Sequence, residues 1–283
     1  MRRICIRGNN PGPLTRGGTN TWLLPGKEPT LIDAAEDSDE YAARVAEALE
    51  AEQPGAVLKR VLVTHGHSDH VAGIAALKRR WPDLLFAKLP GEKDARLGVT
   101  FEPIKDEAVV RAGDGALWAI HTPGHAPDHV CYYEPTAAVV FCGDLLVNGG
   151  TITIPPSHGG NLRQYMKSLR RVLDLQPRQA LAGHGDPIDN PPALIRAYVG
   201  HRMMREQQIV DVLAAGPASI DAIVSRVYPG LQADLIDAAA ENVHAHLIKL
   251  LEEGRASKDT DGASSKSDAA PTPVNAVIWT AIP

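Results

Sequence analysis

The densest chemical signal in the 283-residue chain is the segment THGHSDHVAG, which sets His65, His67, Asp69 and His70 close together directly after the apolar run RVLVT. Neutral imidazole and carboxylate are the usual nitrogen and oxygen donors to zinc, and catalytic zinc sites keep one position for water. In extended backbone, residues i, i+2 and i+4 face the same way, so His65, His67 and Asp69 are expected to converge. A helical turn starting at Ser68 or Asp69 would bring His70 alongside. Two ions could share such a loop. Further donors follow other strand-like runs: His125 in TPGHAPDHV, Asp144 in FCGDLL and His184 in LAGHGD. A lone His or Asp in a turn is usually a turn former. In combination with HxHxDH they complete a dinuclear donor set. Ions roughly 3.5 to 4 Å apart lower the pKa of a shared water to about 7, so a metal-bridging hydroxide is the expected nucleophile, with Asp69 as the residue that orients it. No GxSxG or P-loop segment offers a competing mechanism.

Weaker candidates lie nearby. His129 follows His125 by four and is expected to support the loop or touch substrate. His158, in PPSHGGN, could reach substrate from a loop. Asn20 and Thr21, in GGTNTW, could line the mouth of the site.

The elements that must position these residues alternate between strands and helices. Strands are expected around Ile4, at Thr21 to Leu24, Thr30 to Asp33, Arg60 to Thr64, Leu84 to Ala87, Leu117 to Thr122, Val130 to Tyr133, Ala138 to Cys142 and Gln179 to Ala182. Helices are expected at Ser38 to Ala51, Val71 to Arg80 and Leu162 to Leu175, the last capped by Asn161. This order predicts sheets covered by helices. Beyond Pro191 and Pro192 only helical periods remain, over Ala193 to Ala214, Ser219 to Val227 and Leu231 to Glu253. Two short strands follow, at Arg255 to Ser257 and within VNAVIWTAI. A boundary is therefore expected between residues 1–192 and 193–283. The second part reads as a winged helix whose wing tip, residues 258–273, is expected to be mobile.

Composition narrows the function. The formal net charge is −5 with no basic block, which argues against a broad phosphate-binding face. Three cysteines without a CxxC pair suggest neither a disulfide framework nor a thiolate metal site. With no run of about 18 apolar residues and no secretory leader, no membrane contact is expected and the cytoplasm is the default location.

The order HxHxDH, His, Asp, His resembles the metallo-β-lactamase superfamily over about Ile4 to Ile188. That resemblance implies an α+β fold, the metallo-β-lactamase-like αβ/βα four-layer sandwich, with a small C-terminal winged-helix domain. It also implies one ion on His65, His67 and His125, a second on Asp69, His70 and His184, and Asp144 bridging them. Two zinc ions are the expected cofactors, with iron or manganese compatible with the same donors. The helical extension resembles a two-domain branch that includes endoribonucleases acting on single-stranded RNA, which implies that it roofs the metal cleft, with His201, Arg202, Arg205 or His246 as partners. Three readings follow: an endoribonuclease on single-stranded RNA, a hydroxyacylglutathione hydrolase-like hydrolase of small-molecule thioesters, esters or lactones, and a DNA-binding regulator with a structural zinc site. Acidic residues outnumber basic ones from Leu194 to Arg255, and aromatics make up 5% of the chain, which weighs against nucleic acid.

Overall fold

The computed structural model describes residues 1–92, 94–259 and 277–282. Two sheets face each other. The first runs β1 (Ile4–Arg7), β2 (Asn20–Leu24), β3 (Thr30–Ile32), β4 (Arg60–Leu62), β5 (Leu85–Lys88) and β6 (Phe101–Pro103) in spatial order, antiparallel up to β3 and parallel from β3 to β6. The second places β7 (Val109–Ala112), β8 (Gly115–His121), β9 (Val130–Glu134), β10 (Val139–Gly143) and β11 (Gln179–Ala182) side by side, antiparallel except for the β10–β11 pair.

Both faces of the central strands of each sheet are buried, and the period-two alternation of strand side chains decides which layer each residue enters. Trp22, Leu24, Ile32 and Leu62 point inward and meet Tyr132, Val139, Phe141 and Leu181 between the sheets. Their neighbours Leu23, Leu31, Val61 and Val63 point outward, under α1 (Asp39–Glu52) and α3 (Ile74–Arg80). On the other sheet Cys131, Tyr133, Val140 and Cys142 face α4 (Leu162–Asp174) and the first half of α5 (Pro191–Ala214). Helix, sheet, sheet, helix is the four-layer order that the family resemblance implied.

Helix ends follow capping chemistry. The backbone N–H of Gln164 donates to Asn161 Oδ1 at 2.9 Å, as expected for α4. Ser38 caps α1 in the same way. The expected helix over Val71 to Arg80 is instead broken. A single turn, α2 (Ser68–Val71), is followed by α3, and between them the Gly73 N–H leaves for Ala34 O at 3.0 Å. Strands β6 and β7 were not expected, because their side chains are largely exposed and carry no apolar alternation.

The C-terminal part has its own core. Ile209 and Leu213 from the second half of α5 pack with Ile223 and Val227 of α6 (Ile220–Val227), and with Val243, Leu247 and Leu250 of α7 (Ile236–Glu252). The helix α7 is shorter than the expected Leu231 to Glu253, because Gln232 stays extended (φ −62°, ψ 145°) and a 3-10 turn, Ala233–Leu235, precedes it. Antiparallel β12 (Ala256–Asp259) and β13 (Ile278–Ala281) close this winged helix and bury Trp279. Lys258 and Asp259 of the expected wing tip lie in β12, and its remaining residues fall outside the described residues. Among the described residues, no helix is long and apolar enough to cross a membrane.

Candidate metal centre

The candidate donors all sit where strands end. His65, His67, Asp69 and His70 follow β4, His125 lies between β8 and β9, Asp144 follows β10 and His184 follows β11. Extended alternation holds for His65 and His67 but not for Asp69. His67 is the extended residue preceding α2 (φ −70°, ψ 146°), so Asp69 and His70 already lie on a helical turn and face a second group of donors.

Two clusters result. In the first, His67 Nδ1 lies 3.0 Å from His65 Nε2 and 2.8 Å from His125 Nε2. In the second, Asp69 Oδ2 lies 3.4 Å from His70 Nε2 and 3.2 Å from His184 Nε2. Asp144 reaches both, with Oδ2 at 3.4 Å from His125 Nε2 and Oδ1 at 3.5 Å from His70 and 3.4 Å from His184.

Hydrogen bonds outside the clusters fix which ring nitrogens point inward. Asp33, at the end of β3, is buried and takes three contacts. Its Oδ1 accepts from the Thr64 backbone N–H at 2.7 Å, its Oδ2 accepts from Thr64 Oγ1 at 2.9 Å, and the same oxygen lies 2.9 Å from His70 Nδ1. A carboxylate only accepts, so His70 donates from Nδ1 and turns the lone pair of Nε2 inward. Thr64 has spent its proton on Asp33, so its oxygen accepts from His65 Nδ1 at 3.0 Å, and His65 too presents Nε2. His125 donates from Nδ1 to Thr153 O at 2.7 Å, with the same result. Asp33 was not among the sequence candidates. Its one signal was an acidic residue closing an apolar strand, and it adopts a positive φ of 64°.

Electrostatics agree with a cation site. Burial pushes the His65, His67 and His125 pKa values down, with like-charged histidines adding to the effect at His65 and His67, where the His67 value falls to about 4. These rings are neutral donors at pH 7. Burial also opposes charge on His70 and His184, but Asp69, Asp33 and Asp144 outweigh it at His70, holding it well above its ordinary value. Asp144 does the same at His184, raising it to about 9. Burial likewise opposes the Asp69 carboxylate, yet His70 and His184 hold its pKa down at about 2. His70 Nε2 and Asp144 Oδ1 are buried without a hydrogen-bond partner among the described residues, a costly arrangement unless a cation takes both. The fit extends to the backbone. A Cβ at Gly183 would lie 2.6 Å from His70 and 2.9 Å from Asp144, so only glycine lets the two donors approach beside His184.

For two of the weaker candidates the hydrogen bonds favour a supporting role over substrate contact. His129 is fully buried, and its Nε2 accepts the Asp144 backbone N–H at 3.1 Å while Nδ1 bonds Thr122 at 2.8 Å, so it holds the Asp144 loop and has no nitrogen left for substrate. Asn20 is buried as well. Its amide donates to Ala182 O and Gly185 O, tying β2 to the strand and loop that present His184. His158 does stand beside the site, exposed, with its ring centre 6.4 Å from that of His67. Cluster and helical roof line a cleft of about 410 Å³, the cluster through His125, Asp144 and His184 and the roof through Arg202, Arg205, Tyr228, Leu231 and Leu235.

Comparison with known proteins identifies the fold and the family. Residues 14–184 match the family model for the metallo-beta-lactamase superfamily, and residues 219–265 match the beta-lactamase associated winged helix domain. The chain is 34% identical to the beta-lactamase-like protein 2 homolog of Drosophila melanogaster, over 91% of each chain. It is 33% identical to an atrochrysone carboxyl ACP thioesterase of Passalora fulva, over 76% of this chain and 62% of that one. A metallo-beta-lactamase family protein of Thermus thermophilus shares the fold with a TM-score of 0.74 at 21% identity, over 99% of this chain and 98% of that one. The chain belongs to the metallo-beta-lactamase superfamily, in the form that carries an associated winged helix.

Proposed function

We propose that the chain is a dinuclear zinc hydrolase of small acyl thioesters. One observation carries the reading: the donor clusters open into a cleft of about 410 Å³ walled by Leu14, Tyr228, Leu231, Leu235 and Ala238. Pockets that hold small molecules are concave, largely apolar and roughly 300 to 1,000 Å³. Likeness to a relative named as a thioesterase supports the same substrate class. Under this reading the division near residue 192 separates the metal-binding part from its roof, with α5 packing into both cores.

His65, His67 and His125 would hold one ion, Asp69, His70 and His184 the other, and Asp144 would serve both. When bound, the ions would activate water and polarise the acyl carbonyl. The remaining work falls to the chain. Asp69, with 28% of its side chain exposed against 12% for Asp144, would orient the attacking water, its Oδ2 steadied by the Thr19 hydroxyl at 3.4 Å. A thiolate leaves with a conjugate-acid pKa of about 8.5, so no general acid is required. His158, whose ring centre lies 6.4 Å from that of His67, would touch the entering substrate. Iron or manganese would suit the same donors.

Single-stranded RNA is the second reading, favoured by the guanidinium groups of Arg16, Arg202 and Arg205 along the cleft. The acidic excess of the helical part and the scarcity of aromatics weigh against it. A paired assay decides: zinc-loaded protein and its Asp69→Ala variant, each given acyl thioesters, lactones and labelled single-stranded RNA. Thioester turnover lost in the variant supports the proposal, whereas RNA cleavage lost in the variant replaces it.

A further inference from the structure

Charge in the cleft is unbalanced. Arg202 is 3% exposed, yet it has no carboxylate partner among the described residues. Its guanidinium donates to Ile152 O and to Asn242 Oδ1 at 3.0 Å and lies 5.5 Å from the Tyr165 ring centre. Arg205 donates to His201, Gln208 and Val227 O and stacks over Tyr228 at 4.4 Å, leaving Nη2 without a hydrogen bond among the described residues. Arg16 reaches across the rim to Asn148 O and Gly149 O. A Cβ on Gly150 would collide with the Arg16 guanidinium, so the Gly149–Gly150 turn makes room for that side chain. Elsewhere Arg2, Arg3, Arg79, Arg171 and Arg255 are ion-paired to carboxylates.

A guanidinium keeps its charge when buried. Removing that charge from water without an anion is costly. Here buried Arg202, half-buried Arg205 and exposed Arg16 line one cleft in a chain whose net charge is −5. The cleft's own carboxylate, Asp144, is turned toward His70, His125 and His184 instead.

We propose that the cleft binds an anionic group of the substrate, a carboxylate or a phosphate, with Arg205 in the wall and Arg16 at the rim as its contacts, and Arg202 fixing positive charge in the floor. This deepens the thioesterase reading and rests on it for the position of the scissile bond. Arg205 supplies the unspent Nη2 donors, and charge-assisted hydrogen bonds of this kind are the strong ones. The apolar wall beside them would take the acyl chain.

The test is calorimetric binding of non-hydrolysable thioethers to the zinc-loaded full chain, in two matched pairs. S-butyl and S-(3-carboxypropyl) N-acetylcysteamine place a carboxylate on the acyl side. S-butyl pantetheine and S-butyl 4′-phosphopantetheine place a phosphate on the thiol side. The charged member of one pair is expected to bind about tenfold more tightly, and that pair identifies the source of the anion. The preference should fall below about threefold in Arg205→Gln and in Arg16→Gln, with Arg205→Lys between, since lysine keeps charge but loses the planar fork. Arg205 and Arg16 are chosen because Arg202→Gln would also remove a buried tie, and circular dichroism checks that both variants fold. Equal binding within both pairs, or a preference that survives both substitutions, overturns the inference. If charged thioethers are preferred but the matching thioesters are not hydrolysed, the anion site stands and the thioesterase reading falls alone.

Discussion

Asp33 Oδ2 lies 2.9 Å from His70 Nδ1, and through Thr64 the same carboxylate governs His65, so one buried residue sets the inward-facing nitrogen in both donor clusters. Such outer hydrogen bonds typically control metal affinity by about 10- to 100-fold. Asp33→Asn keeps the shape but replaces one acceptor oxygen with a donor. We expect zinc affinity at the His70 cluster to fall within that range while the thermal transition stays cooperative. Competition with a chromophoric chelator measures it, and an unchanged affinity would show that Asp33 serves only the backbone at Thr64.

Gly183→Ala tests how closely the donors must approach. Its Cβ would intrude to 2.6 Å from His70 Cε1. Displacing a reacting group by about 1 Å can cost on the order of 100-fold. Turnover is expected to drop by that order, with secondary structure intact by circular dichroism.

Lys88 is fully buried at the end of β5, paired with Asp94 at 2.6 Å and with Asp128 at 2.8 Å. Asp128 belongs to the loop between His125 and His129, so the pair ties the first sheet to that loop. Lys88→Met would leave two carboxylates without their cation, and breaking a buried pair from one side costs about 3 to 5 kcal/mol. Urea denaturation should show a loss of that size. A loss near zero would mean that solvent reaches the pair.

Glu206 anchors the winged helix. Burial opposes its charge, but His246, Lys249 and Arg255 hold its pKa down at about 2. A depressed carboxylate stabilises the fold above its unfolded pKa of about 4.3 and loses that contribution as pH falls through the folded value. Unfolding free energy should therefore decline from about pH 4.3 toward pH 2, and Glu206→Gln should flatten the decline. Denaturation curves across that window check the sign.

Much of the site was legible because its chemistry is local. HxHxDH lies on one loop, and each later donor ends a strand whose apolar run is visible in sequence. The four layers were less so. Residues such as Val61 and Leu62 are both buried, in different layers, and an uninterrupted apolar run does not reveal which side each faces. His129 takes the supporting role expected of it, whereas a substrate contact by Asn20 or His129 was suggested because polar residues in Gly- and Pro-rich segments look exposed, and here their hydrogen bonds are satisfied inside. Asp33 closes an expected strand with nothing in sequence to mark it as the partner of His70, and the cleft arginines come from distant parts of the chain that meet only in the fold.

Zinc titration of metal-stripped protein with parallel thioester assays tests the proposed two-ion thioesterase site most directly. Two equivalents bound, turnover that follows the second equivalent, and loss of that equivalent in His184→Ala are expected. A single equivalent with full turnover, or turnover in the stripped protein, would contradict it.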